Sequence, residues 1–149
     1  ASRPQTTKAL RLSRVLEAPR AAVFRAWTRP DELRRWMAPG DLVVSVVEVD
    51  LRPGGRYRFH LREPDGTEHR VVGVYAEIEA PRRLVFSWSL ESHPVPVDTR
   101  VTVEFRDLGD RTEIALLHEF FPTDELCAMH ERGWNACLEK LPGAIGGWH

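Results

Sequence analysis

The feature that most constrains this chain is a change of hydrophobic period near residue 120. Between residues 42 and 118, apolar side chains recur at every second position in short segments separated by turn residues. From about residue 123 to 141 they recur at helical spacing instead. Alternation with period two buries one face of a strand and leaves the other to water, whereas a period near 3.6 lays one apolar stripe along a helix. A set of half-buried strands needs a cover for its apolar face. One long amphipathic helix is the only element here large enough to provide it.

The first strand is expected at residues 8–17, where Leu10, Leu12 and Leu16 share a parity among polar neighbours. Ala18-Pro19 interrupts it. Proline suits the first turn of a helix, and Val23 and Trp27 then lie four residues apart on one face. Thr28-Arg29-Pro30-Asp31 opens a second short helix with Leu33, Trp36 and Met37 as its apolar side, ended by Ala38-Pro39-Gly40.

A meander of strands follows. Residues 42–51 run to Arg52-Pro53-Gly54-Gly55, where Pro then Gly fits the centre of a type II turn. Residues 56–62 place Tyr57, Phe59 and Leu61 on one face and Arg56, Arg58, His60 and Arg62 on the other. Strands at 69–79 and 83–90 follow, the latter aligning Leu84, Phe86, Trp88 and Leu90. Residues 99–106 carry Val101, Val103 and Phe105 inward, and residues 112–118 do the same with Ile114, Leu116 and His118.

Pro122-Thr123-Asp124-Glu125 is a helix start, with Thr123 or Asp124 as the cap. At about 100° per residue, Leu126, Cys127, His130, Trp134, Cys137, Leu138 and Leu141 fall within an arc of roughly 120°, with Arg132, Asn135 and Glu139 outside it. Pro142-Gly143 is expected to stop this helix. The chain therefore reads as α+β: a flexible arm at 1–7, a single domain at 8–142, and a tail at 143–149. The sheet is antiparallel and curved around the long C-terminal helix, with two short helices after the first strand. Trp148 in the tail is expected to fold back over the domain, to pack on a second copy or to be disordered, so a homodimer is compatible with the sequence.

Composition narrows the function classes. With 21 Lys and Arg against 22 Asp and Glu, the net charge of −1 supplies no general field for nucleic acid or an anionic membrane. No apolar run has the length of a membrane-spanning helix, and the opening Ala1-Ser2-Arg3-Pro4 has no signal-peptide core. The expected location is cytoplasmic, with neither nucleic acid nor membrane insertion among the expected partnerships.

Several blocks of residues carry a resemblance. Ala18-Pro19-Arg20-Ala21-Ala22-Val23-Phe24-Arg25-Ala26-Trp27-Thr28 with Pro30 comes first, then Asp50-Leu51-Arg52-Pro53-Gly54-Gly55-Arg56-Tyr57-Arg58-Phe59. Gly73-Val74-Tyr75, Pro81-Arg82-Arg83-Leu84-Val85-Phe86, Thr112-Glu113-Ile114 with His118, and His130-Glu131-Arg132-Gly133-Trp134 follow. In this order they resemble the family of homologues of the heat-shock-protein-90 ATPase activator. The resemblance implies a helix-grip fold within the START-like, birch-pollen-allergen-like superfamily. It also implies a hydrophobic ligand held between sheet and helix, and in some relatives cyclase or hydrolase activity. The namesake co-chaperone carries a further domain before this one, for which this chain has no room. That turns the expectation away from a chaperone partner.

Two histidines stand out. His118 shares its inward parity with Ile114 and Leu116, and His130 sits on the inner helix stripe. Either could orient a ligand or exchange a proton near neutral pH, which makes both candidates for catalysis. For catalysis the stronger expectation is that each is a buried histidine satisfied by backbone or water. A metal site is not expected. Cys127 and Cys137 are ten positions apart on one helix, about 15 Å along its axis, too far to share an ion or form a disulfide. No phosphate loop, nucleophile elbow or cofactor motif is present, so no cofactor is expected.

The inward aromatic inventory is that of a core, and also that of an apolar ligand pocket. The expected ligand-binding set is Tyr57, Phe59, Phe86, Trp88, Phe105, His118, His130, Trp134 and Leu138. The expected function is binding of a small hydrophobic or amphipathic ligand. The alternatives are a cyclase- or hydrolase-type enzyme acting on a polyketide-like or aromatic substrate through His118 or His130, and a protein-interaction or co-chaperone module.

Overall fold

Strands β1 (Lys8–Leu16) and β2 (Val43–Val49) lie at opposite edges of one antiparallel sheet, although they are neighbours in the chain's strand order. The computed structural model describes residues 8–91 and 98–145. Among these, β3 (Arg56–Arg62), β4 (Glu68–Glu79), β5 (Arg83–Leu90), β6 (Asp98–Asp107) and β7 (Thr112–Phe121) continue from β2 as a meander. Each pairs with the next, and β1 returns alongside β7, giving the order β1-β7-β6-β5-β4-β3-β2. Helices α1 (Arg20–Thr28) and α2 (Pro30–Trp36) span the gap between the two edges, and α3 (Asp124–Ala144) lies across the inner face. This is the α+β, helix-grip arrangement expected from the change of period.

Strand parity decides what is buried. Along β3 the alternation is complete: Tyr57, Phe59 and Leu61 are buried, and Arg56, Arg58 and Arg62 are exposed. The inner faces of β5, β6 and β7 deliver Leu84, Phe86, Trp88, Val101, Val103, Phe105, Ile114, Leu116 and His118 to the core. The outer face is laced with ion pairs such as Arg58–Glu48 at 2.8 Å and Arg100–Glu119 at 2.9 Å. The Pro53-Gly54 turn takes the expected form, with Gly54 at φ 82° in the region that favours glycine.

Helix α3 begins as the sequence implies, with the Thr123 side chain accepting from the Leu126 amide at 3.1 Å. Its stripe of Leu126, His130, Trp134, Cys137, Leu138 and Leu141 is buried, while Cys127 is only half-buried. The expected stop at Pro142-Gly143 does not occur, because the helix continues to Ala144. A proline in the last turn removes a single backbone hydrogen bond, and burial of Leu141, Ala144 and Ile145 holds the turn in place. The arm at 1–7, the loop at 93–96 and Trp148 lie outside the described residues.

Candidate functional site

The inner face carries packed clusters and, beside them, a cavity. Tyr57, Phe59, Tyr75 and Phe86 form the first cluster, with ring centroids 5.1 to 6.0 Å apart. Gly73 lies directly across from Tyr57 in the β3–β4 ladder, and the Tyr57 ring covers it. The Tyr57 hydroxyl donates to the Ser87 carbonyl at 2.5 Å, and burial pushes its pKa well above the ordinary tyrosine value. A second cluster joins Phe24, Trp27, Trp36 and Phe105, with the Trp36 indole donating to the Ala26 carbonyl at 2.8 Å. Trp134 from α3 stacks on Trp27 at 5.7 Å and meets Trp88 at 5.2 Å.

Beside Trp134 and Trp88 lies a cavity of about 190 Å³. One wall is α3, through Met129, His130, Gly133, Trp134 and Cys137. The sheet supplies Leu61, His69, Val71, Trp88 and Leu90, and the α2–β2 connection adds Met37, Pro39 and Leu42. That connection is tied to α3 by Lys140, whose Nζ donates to the carbonyls of Ala38 at 2.6 Å and Gly40 at 2.8 Å. A Cβ at Gly133 would meet no heavy atom within 4 Å beyond its chain neighbours and its own helix backbone. A glycine in the middle of a helix costs about 1 kcal/mol relative to alanine, and here it leaves room on the cavity side of the stripe. Among the described residues no Asp, Glu, Lys or Arg lines the cavity; its polar side chains are His130 and His69, whose Nε2 lies 2.6 Å from a Glu63 carboxylate oxygen.

His118 is wholly buried behind this wall, and its hydrogen bonds define its protonation. The Trp134 indole can only donate, and it does so to His118 Nδ1 at 3.0 Å. The hydrogen of the neutral ring is therefore on Nε2, which donates to Thr99 Oγ1 at 2.6 Å. Thr99 in turn donates to the Trp88 carbonyl at 2.8 Å. Burial, aided by His130, holds the His118 pKa well below the ordinary histidine value. The result is a neutral, fully directed relay from Trp134 to the backbone of Trp88.

His130 stands in the cavity wall itself. Its Nδ1 lies 2.9 Å from the Leu126 carbonyl, which can only accept, so that nitrogen carries a hydrogen. Its ring centroid is 5.2 Å from that of His118 and 5.0 Å from that of Phe121. Phe121 reaches this position because Phe120 sits at φ 75° as an extra residue in the β1–β7 ladder. Such a bulge reverses the parity of the strand end: Phe120 faces solvent, and the Phe121 ring turns in to lie 4.3 Å from His118.

Of the expected ligand-binding residues, Trp88, His130 and Trp134 line the cavity. His118 does not line it but packs behind three residues that do, Trp88, His130 and Trp134. Tyr57, Phe59, Phe86, Phe105 and Leu138 stand in the packed core away from it. Met37, Pro39, Leu42, His69, Met129, Gly133 and Cys137 were not among the expected residues. Gly133 is the one legible signal, as the single glycine inside the long helix before its last turn. Cys137 is buried in the wall, and its thiol pKa is pushed up to about 12 by burial. Among the described residues no cluster of three or more His, Cys, Asp or Glu could hold a metal.

A wider hollow, about 640 Å³, lies over the outer sheet face. It is lined by arginines and glutamates that pair with one another, as Arg83 does with Glu104 at 3.5 Å, and reads as a solvated ion-pair lattice. The apolar cavity is the better candidate for recognition.

Comparison with known proteins agrees with this architecture. A solved protein of Chromobacterium violaceum is 28% identical, with 92% of this chain and 96% of that one covered at a TM-score of 0.86. One from Nitrosomonas europaea is 25% identical over 92% and 93%, with a TM-score of 0.77. The AHSA1 protein of Silicibacter pomeroyi, at 23% identity over 95% and 100% with a TM-score of 0.82, shares the fold. No curated protein matches the chain. The family model described as activator of Hsp90 ATPase homolog 1-like protein matches residues 17–146, and the chain belongs to that family.

Proposed function

We propose that this protein binds a small, uncharged, largely apolar molecule in the cavity between α3 and strands β3–β5. The observation that carries this reading is the cavity of about 190 Å³ beside Gly133, walled among the described residues mostly by apolar side chains, with His69 and His130 as its polar groups. A dry apolar cavity of ~150 Å³ accepts a benzene-sized ligand, so this one suits a single ring with a short substituent. A long lipid chain or a polyketide is too large for it in this form.

Fluorobenzene observed by fluorine NMR tests the reading. The protein is expected to broaden its signal in a saturable way, and Gly133→Leu, which fills the cavity, should abolish the effect while circular dichroism shows an intact fold. Absence of binding to the wild-type protein, or equal binding to Gly133→Leu, would overturn it.

A second reading, proton transfer to or from the bound molecule, is favoured by the place of His130 in the cavity wall. His118 supports it only indirectly, since both its ring nitrogens are engaged in the relay. Once a substrate is found, His130→Gln should remove turnover and spare binding if this reading holds. A chaperone-docking role has weaker support. The exposed large apolar side chains Val15, Val43, Leu51, Val74, Leu108 and Phe120 belong to different elements, with Val15 and Val43 at opposite sheet edges.

A further inference from the structure

The β3–β4 hairpin places one polar side chain at the rim of the cavity. His69 pairs with Leu61 across the ladder and shares its strand face with Val71, and all three line the cavity. Val71 is buried, whereas the His69 side chain is 36% exposed, so the imidazole stands where the cavity meets solvent. Its Nε2 lies 2.6 Å from a Glu63 carboxylate oxygen. A carboxylate can only accept, so Nε2 carries the hydrogen and the neutral ring leaves Nδ1 as an acceptor. Glu63 is itself fixed by the turn: its amide donates to the Thr67 carbonyl at 2.8 Å, and its carbonyl accepts from the Gly66 amide at 2.9 Å.

The other two histidines of this region are placed differently. His118 does not line the cavity, and both its ring nitrogens are engaged. His130 is buried deeper in the wall, with Nδ1 held by the Leu126 carbonyl. Nδ1 of His69, by contrast, meets no hydrogen-bond partner among the described residues. We propose that the molecule bound here carries one neutral hydrogen-bond donor, a hydroxyl on its ring, which gives its hydrogen to His69 Nδ1 at the rim. The class is thus a small phenol, with its apolar face against Trp88, Val71 and Trp134 and its hydroxyl toward solvent. A carboxylate is disfavoured, because the Glu63 carboxylate stands beside the same imidazole. The proposal rests on the cavity-binding reading and deepens it by naming the polar contact and the orientation.

The test uses two probes of nearly equal shape, phenol and fluorobenzene, which differ by a hydroxyl in place of fluorine. Affinities are measured for the wild-type protein and for His69→Leu, which keeps an apolar wall and removes the acceptor. Phenol is expected to lose about five-fold in affinity in His69→Leu, while fluorobenzene changes by less than about two-fold. In the wild-type protein, the ¹⁵N resonance of His69 Nδ1 should move upfield with phenol and stay in place with fluorobenzene. Equal losses for the two probes, or an unmoved Nδ1 with phenol bound, would overturn the proposal and leave the cavity reading standing. If neither probe binds the wild-type protein, both fall. Should His69→Leu fail to fold, the wild-type Nδ1 shift decides the matter alone.

Discussion

The indole of Trp134 donates to Nδ1 of His118, and this one contact makes His118 a structural, neutral imidazole in the folded protein. Its Nε2 hydrogen is directed to Thr99, so protonation of the ring would break the Trp134 bond and place a charge in a wholly buried site.

The consequence for pH follows from the sign of the shift. The folded pKa of His118 is held well below the unfolded value of about 6.5, by burial first and His130 second. Above pH 6.5 both states are neutral there, and stability does not depend on this residue's titration. As pH falls below 6.5 the unfolded chain takes up a proton that the folded one refuses, and stability is lost. Urea denaturation at pH 7 and pH 5 should show a loss of roughly 1–2 kcal/mol that is absent from His118→Gln. An equal loss in the variant would show that the protons are taken up elsewhere.

Gly73 is predicted to tolerate no side chain. A Cβ there would sit 2.0 Å from the Ser87 carbonyl oxygen and 2.5 Å from the Tyr57 ring and hydroxyl. The first of these contacts is backbone, so a rotamer change cannot relieve it. Gly73→Ala should destabilise by about 2–3 kcal/mol and raise the accessibility of Tyr57, measurable by denaturation and by tyrosine absorbance. Preserved stability would mean that β4 and β5 separate more easily than their ladder suggests.

Lys140 should act as the tie between α3 and the α2–β2 connection. Lys140→Met removes two charge-assisted hydrogen bonds while keeping most of the stem. With Lys140 half-exposed, the expected loss is about 1–2 kcal/mol. Because Met37, Pro39 and Leu42 form part of the cavity wall, exchange of fluorobenzene should also quicken, seen in its NMR line width. Unchanged exchange together with lowered stability would place the entry route elsewhere on the wall.

The strands were legible because a half-buried sheet imposes parity on the sequence. Tyr57, Phe59, Phe86, Trp88 and Phe105 all point inward as alternation requires. Parity says which face a residue occupies, but not what lies opposite it. Tyr57 is inward, yet its ring is spent covering Gly73; Trp88 is equally inward and borders the cavity. Phe121 was invisible to parity altogether, because the bulge at Phe120 reverses the alternation within the last turn of the ladder.

The sequence by itself determined the order of elements, the antiparallel meander, the capped helix and its buried stripe, since each follows from local period and turn chemistry. Only the tertiary structure decided where the inner face is filled and where it is open. That depends on how α3 crosses the strands, on the Lys140 tie that brings the α2–β2 connection into the wall, and on the room left at Gly133. Tertiary contact also set the roles of the two histidines. Both are inward by period, but the Trp134 indole commits His118 to the relay, whereas His130 is placed in the cavity wall.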